Sequence, residues 1–277
     1  HDQSSAASDV YKRQLSEMEV AEKGFEEVLA DAQKKGYAEA DPSFDIDGID
    51  AAHKTIILSG LAYGKMPNLE DLSIQGIREI SLNDIKYCND LGYKIKLLGN
   101  SLISKDLNGK EELFCSVKPW LIAKNFGLSN VSGVINAVQI ESSLAGSVMI
   151  TGAGAGGEPT ASAVLADIVD IANGTKLFSF GRNSYDIKVN FKTTPYREKY
   201  KFYLRLNVVD KSGILADLTS IFKDYNISIE SVIQKSNQED KTAELVIITH
   251  KANNSVLEDA LTSIIKLDGV ITKPVCL

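Results

Sequence analysis

The chain has 277 residues, 44% hydrophobic and 24% charged, the composition of a folded globular protein rather than a disordered one. Lys and Arg number 30 against 37 Asp and Glu, a net charge of -7, which excludes the basic footprint of a nucleic-acid binder. No apolar run is long enough for a membrane span and no signal peptide stands out, while Cys88, Cys115 and Cys276 are scattered and odd in number and His1, His53 and His250 lie far apart. The chain therefore reads as a cytoplasmic protein with reduced thiols and no metal-ligand spacing, and its length favours two domains.

Residues 1–14 are polar and carry no periodic apolar face, so they read as a foreign leader outside the fold. From Leu15 a helical pattern takes over, with Leu15, Met18, Phe25, Val28 and Leu29 as its apolar positions. It ends in two lysines and Gly36, a composition suited to a helix C-terminus. A loop turned by Asp41-Pro42 and Gly48 follows, crowded with Glu39, Asp41, Asp45, Asp47 and Asp50. The chain then enters an apolar helix over residues 51–63. Asp50 stands at its start, where a carboxylate accepts from free backbone N–H groups. Lys54 lies four residues on and shares its face. Pairs of this spacing are commonplace on solvated helices and contribute little. Lys54, however, is followed by Thr-Ile-Ile-Leu, so the pattern places it in a helix that is apolar nearly all round and therefore buried, where a lysine needs a partner or a task. His53 differs from Lys54 in helical phase and reads as structural.

Further on, Ser81 suits the N-cap of a helix running to Asp90 and stopped by Gly92. Strands are expected over 93–98, 113–117 and 133–140, with a short helix over 119–125. The fold class is α/β (α+β), a mixed sheet with helices on one face. Residues 148–151 read as a strand entering Gly152-Ala-Gly-Ala-Gly-Gly157, before a helix over 160–172. Literally this is G-x-G-x-x-G between strand and helix. The rest of a dinucleotide fold is lacking, because Asp167 and Asp170 lie inside the helix and no second strand ends in an acidic residue for the ribose. The loop is then either a close-packed turn that glycine permits or a set of backbone N–H groups offered at a helix start. Residues 182–200 are polar with little periodicity beyond a short strand at 186–191, and read as a linker.

The last part changes character. Phe202, Leu204, Leu206 and Val208 alternate as a strand, and the turn from Asp210 to Gly213 leads into a helix with Leu215, Leu218, Ile221 and Phe222 on one face. Strands over 227–234 and 243–249, a helix carrying Val256, Leu257, Leu261, Ile264 and Ile265, and a final strand from Val270 complete a βαββαβ order. That is a ferredoxin-like split unit.

Two resemblances attach to these patterns. The ordered string Ala32, Gly36-Tyr37-Ala38, Asp41-Pro42, Asp45-Ile46, Gly48, Asp50 and Lys54 resembles the fingerprint of the homoserine dehydrogenase family, with every spaced position filled. The resemblance implies an NADP- or NAD-dependent oxidoreductase that interconverts L-aspartate 4-semialdehyde and L-homoserine in threonine and methionine biosynthesis, and a homodimer built on the sheet. It implies that Glu39 binds the substrate's ammonium group, that Asp50 orients the substrate, that Lys54 is the acid/base, and that Gly156 touches the cofactor. Aldehyde reduction fits those residue types: hydride reaches carbon while a proton reaches oxygen, and a positioned ammonium supplies that proton. The family's N-terminal nucleotide-binding domain has no counterpart here. The resemblance thus covers residues 15–277 and implies a fragment inactive alone, with its cofactor bound mainly by the missing domain.

The βαββαβ stretch, with Asp210-Lys-Ser-Gly213-Ile-Leu-Ala at its first turn, resembles the ACT domain, an amino-acid-sensing module. It implies Asp210 and Gly213 as the site of a regulatory ligand such as threonine; the bland alternative makes the turn a helix entry only. The expected division is a leader at 1–14, a substrate-binding and dimerisation domain at 15–181, a linker at 182–200 and an ACT domain at 201–277. A reading from another class is a non-enzymatic amino-acid-binding regulatory module. In that case Glu39, Asp50 and Lys54 face solvent instead of converging on one cleft.

Overall fold

The computed structural model describes residues 10–34, 38, 40–133, 135–154, 156–175, 178–196, 198–237 and 240–277. The chain divides into two units, His1–Thr194 and Pro195–Leu277. The first unit opens with helices α1 (Val10–Ala21), α2 (Phe25–Lys34), α3 (Ser43–Ile46) and α4 (Ile49–Tyr63), followed by short strands β1 (Lys65–Met66) and β2 (Ser73–Ile74). The first helix starts at Val10, inside the stretch read as a leader, and Gln14 is buried in it. Helix α5 (Leu82–Asp90) has the expected start: the Ser81 hydroxyl accepts from the Asp84 amide while Asp84 accepts from the Ser81 amide, a reciprocal cap.

Strands β3 (Tyr93–Lys105) and β4 (Glu111–Ala123) form a long antiparallel hairpin, and β2 adds to β4 in parallel at Ser116 and Val117. The short helix expected over 119–125 does not form, because β4 continues through Pro119, which pairs with Leu97. Strand β2 stops short of that position, so β4 is an edge there and a residue without an N–H is tolerated. Strands β5 (Ile135–Ser142) and β6 (Gly146–Ala153) make a separate antiparallel hairpin, and α6 (Gly157–Ala172) follows.

Helix α4 packs across β3 and β4, and its buried strip is made of small side chains: Ala51, Ala52, Thr55, Ser59 and Gly60. The approach is close. A Cβ on Gly99 of β3 would stand 1.9 Å from Oγ1 of Thr55, and that hydroxyl already donates to the Ala51 carbonyl at 2.7 Å. At the far end of α4, a Cβ on Gly60 would stand 2.9 Å from Met66 and 3.1 Å from Phe180.

Residues 182–194, read from the sequence as part of a linker, instead run back over the end of α4. Arg182 donates to the Ala62 carbonyl at 2.9 Å, the Lys188 amide donates to Gly64 at 2.8 Å, and β7 (Lys188–Val189) pairs in parallel with β1. Lys192 bridges Asp71 at 2.8 Å. Backbone and ion-pair contacts hold this segment, which is why it shows no apolar period.

The second unit is the expected βαββαβ arrangement: β8 (Tyr203–Val209), α7 (Ile214–Asp224), β9 (Ile229–Asn237), β10 (Thr242–Thr249), α8 (Asn254–Ile264) and β11 (Val275–Cys276). The sheet order is β11-β8-β10-β9, antiparallel throughout. Leu204, Leu206, Leu245 and Ile247 from the sheet meet Leu218, Phe222, Leu257 and Ile264 from the helices in one core. The final strand lies at 275–276 and not at Val270, which makes a single bridge to Val208. The three thiols are free. Burial holds Cys88 far above the ordinary thiol range and pushes Cys115 up to about 11.

The seat of α4 on β3 can be tested directly. Gly99→Ala should destabilise the first unit by about 1–3 kcal/mol, the usual cost of overpacking. In a Thr55→Ala background the same change should cost less than about 1 kcal/mol, because the two sites are in contact and couple. Urea unfolding of the four proteins gives the cycle. Equal costs in both backgrounds would mean that the contact does not seat the helix.

Candidate functional site

The acidic turn is built around Pro42 and Gly48. Pro42 precedes α3, and the Asp41 carboxylate accepts from the Ser43 amide at 3.1 Å. Hydrogen bonds from the Ser43 hydroxyl and then its amide hold the Asp41 carboxyl below the usual range, with the Arg78 charge adding a little. Helix α3 ends at Asp47, and Gly48 turns the chain at φ 85°, a conformation glycine reaches without strain. A Cβ on Gly48 would also stand 3.3 Å from Val117 of β4, so the turn lies close against the sheet.

Gly48 is the N-cap of α4, and no side chain caps the helix. Asp50 therefore does not cap, contrary to expectation. It sits in the first turn, and its Oδ2 accepts from Lys54 Nζ at 2.7 Å. Lys54 is not buried either: its side chain is 46% exposed and that of Asp50 17%. The reason lies in the phase of α4. Its inner strip is the small-residue set at 51, 52, 55, 59 and 60, which leaves Asp50 and Lys54 on the flank, while Ile57, Leu58 and Leu61 are themselves 40–47% exposed. A carboxylate and an ammonium in contact, near the surface and held by a seated helix, can orient a polar ligand and carry a proton.

His53 is exposed and stacks on Phe44, ring centroids 5.8 Å apart, away from the Asp50–Lys54 contact. Asp45 was legible as one acid of the loop and as a fingerprint position, with no role assigned to it. Here it is buried on α3, 5% exposed, the one buried carboxylate of the turn among the described residues. Glu39 lies outside the described residues, as do Gly36 and Tyr37.

Gly156 is the N-cap of α6 at φ 129°, again without a capping side chain, so the first amides of that helix have no side-chain acceptor at the cap. Gly154 has a packing reason of its own, since a Cβ there would stand 1.7 Å from the amide nitrogen of Asn136. Among the described residues β6 pairs only with β5, antiparallel. The loop can thus lend amides to a phosphate or a ribose, but it is not the parallel βαβ unit that holds a dinucleotide.

In the second unit Gly213 caps α7 at φ 99° and Asp210 is exposed just before it, its amide donating to Lys241 at 2.9 Å. Among the described residues no group of three or more His, Cys, Asp or Glu could hold a metal, and no helix is long and apolar enough to cross a membrane.

Fold and site together define a class: an α/β unit with an Asp–Lys contact on a seated helix, followed by a ferredoxin-like βαββαβ unit. The profile of the homoserine dehydrogenase family matches residues 14–169, and that of the ACT domain residues 202–269. The homoserine dehydrogenase of Neisseria gonorrhoeae is 40% identical over 267 residues, 94% of this chain and 60% of that protein. That of Helicobacter pylori is 38% identical over 261 residues, again 94% and 60%. The crystal structure of a homoserine dehydrogenase from Thiobacillus denitrificans superposes with a TM-score of 0.84 at 35% identity, covering 98% of this chain and 62% of that one. The chain belongs to the homoserine dehydrogenase family and carries an ACT domain. It spans about 60% of the length of the relatives it matches. A free-standing regulatory module is set aside, since the dehydrogenase match precedes the ACT domain and covers most of the first unit.

Proposed function

We propose that these residues form the substrate end of a homoserine dehydrogenase, which interconverts L-aspartate 4-semialdehyde and L-homoserine in threonine and methionine biosynthesis. The contact between Asp50 and Lys54 at 2.7 Å, at the start of a helix seated on the sheet, carries this reading. In the reductive direction Lys54 Nζ donates a proton to the substrate's carbonyl oxygen and stabilises the charge that develops there. Asp50 holds that ammonium in place and orients the substrate beside it. Glu39 receives the substrate's own ammonium group. A nicotinamide cofactor, NADP or NAD, supplies the hydride when bound. The uncapped start of α6 at Gly156 suits one contact with that cofactor, and its main site lies outside these residues.

Two uncovered surfaces support a larger assembly. Helix α6 has no buried residue, and Val164, Leu165, Ile168 and Ile171 line an apolar face that a stable helix covers. The β5–β6 hairpin exposes Ile140, Val148, Met149 and Ile150, which suits a homodimer built on this sheet. The absence of a spanning helix among the described residues is compatible with a cytoplasmic enzyme. The ACT unit takes an amino-acid effector at the Asp210–Gly213 turn, where α7 starts at Gly213 without a capping side chain, a start that suits a carboxylate.

In the enzyme completed with the family's nucleotide-binding part, Lys54→Met should lower kcat by about 10²–10⁴-fold, the usual worth of a general acid. Glu39→Gln should chiefly raise KM, since it removes ground-state and transition-state binding alike. A kcat for Lys54→Met within a few-fold of the parent would make the lysine structural and sink the assignment. Threonine is the first effector to test, because it is the downstream product of this chemistry. Titration calorimetry should give saturable heat with threonine that Gly213→Val abolishes; no heat with threonine or related amino acids would leave the ACT unit a structural element.

A further inference from the structure

The fingerprint's acidic turn hangs on α3, and four residues cannot hold a helix by their own hydrogen bonds. Contacts from outside fix it, and they come from the segment after β2. At Gly76 two backbones touch: a Cβ there would stand 2.3 Å from the carbonyl oxygen of Ile46 and 2.5 Å from Cα of Asp47. The Ile77 amide donates to that same carbonyl at 2.9 Å. Beyond it, Arg78 reaches over the outer side of the turn. Its Nε donates to Oδ1 of Asp47 at 2.9 Å, and its Nη2 donates to Oδ2 of Asp47 at 3.2 Å and to Oγ of Ser43 at 3.1 Å.

Ser43 and Asp47 are four residues apart and so lie on one side of the helix. Asp45, midway between them, faces the opposite way, and it is the member that is buried. A guanidinium fork on a carboxylate fixes direction as well as distance, which a lysine at the same place does not. Arg78 and Asp47 are each nearly half-exposed, so the attraction itself is screened; what the fork contributes is geometry.

We propose that Arg78 is a positioning residue of the substrate site: its fork locks the α3 turn so that Asp45 points inward and Gly48 launches α4 with Asp50 and Lys54 in register. The proposal rests on reading residues 41–54 as the substrate site. Arg78 is no part of the fingerprint and acts through Asp47 and Ser43, making no hydrogen bond to Asp50 or Lys54.

Amide exchange on the chain as it stands tests the clamp without needing activity. Arg78→Gln should speed exchange at residues 46–52 by about tenfold or more while β3, β4 and the second unit keep their protection. Arg78→Lys should restore only part of it, since one ammonium cannot make both bonds. Ser43→Ala, which keeps the Asp47 fork, guards against a misfolded Gln variant and should give a smaller acceleration confined to the same residues. In the completed enzyme Arg78→Gln should lower kcat and raise KM for the amino-aldehyde, with KM for the cofactor unchanged, whereas mere loss of folded protein lowers kcat alone. Unchanged exchange at 46–52, or acceleration spread evenly over the first unit, would overturn the proposal. An inactive parent enzyme would overturn the function read from the site, and exchange would still decide the clamp.

Discussion

The contact on which the first unit depends is the one between the backbone of β3 at Gly99 and the side of α4 at Thr55. A helix at ordinary distance from a sheet is free to slide and roll by fractions of a turn. Here the space for a single methyl is missing, so the roll of α4 is fixed by contact. Everything chemical follows from that roll: the small-residue strip faces β3 and β4, and Asp50 and Lys54 come out on the flank with their charges together. Gly48 on Val117 and Gly60 against Met66 and Phe180 repeat the device at both ends of the helix. Three close approaches, each at a glycine, hold helix α4.

Much of this was legible beforehand. The fingerprint was legible as a likeness to a known family, while the Ser81 cap, the rejected dinucleotide reading of the second glycine stretch and the βαββαβ order rest on local rules, namely capping, strand alternation and the need for a parallel neighbour. The failures share a cause of a different kind. Lys54 was expected inside because its neighbours are apolar, but Ile57, Leu58 and Leu61 remain open on this unit, and small residues do the packing instead. Asp50 was expected to cap, and Gly48 takes that place because the turn needs a positive φ. A short helix was expected over 119–125, yet β4 runs on through Pro119, where the end of β2 leaves an edge that tolerates it. Residues 182–194 looked like a linker because backbone bonds and ion pairs leave no hydrophobic period to find. In each case tertiary context decided, and a single sequence carries no direct record of it.

The apolar surface left open on α6 and on the β5–β6 hairpin belongs to the same picture. A helix with no buried residue and a row of Val, Leu and Ile is not a finished surface. The chain spans about 60% of its relatives, and under the proposed function the remaining part of such an enzyme and a second copy are the covers for these faces. The proposed function divides the labour accordingly: the α3–α4 turn for the amino-acid substrate, the dinucleotide elsewhere, and Gly156 for at most one contact.

That division is the central claim, and titrating NADPH fluorescence tests it most directly. The chain as it stands should give no saturable enhancement at micromolar cofactor, whereas the same residues joined to a relative's nucleotide-binding part should. A saturating signal from the chain alone, with Kd near ~10 μM or about 7 kcal/mol, would contradict the account by placing a complete dinucleotide site in the loop around Gly156.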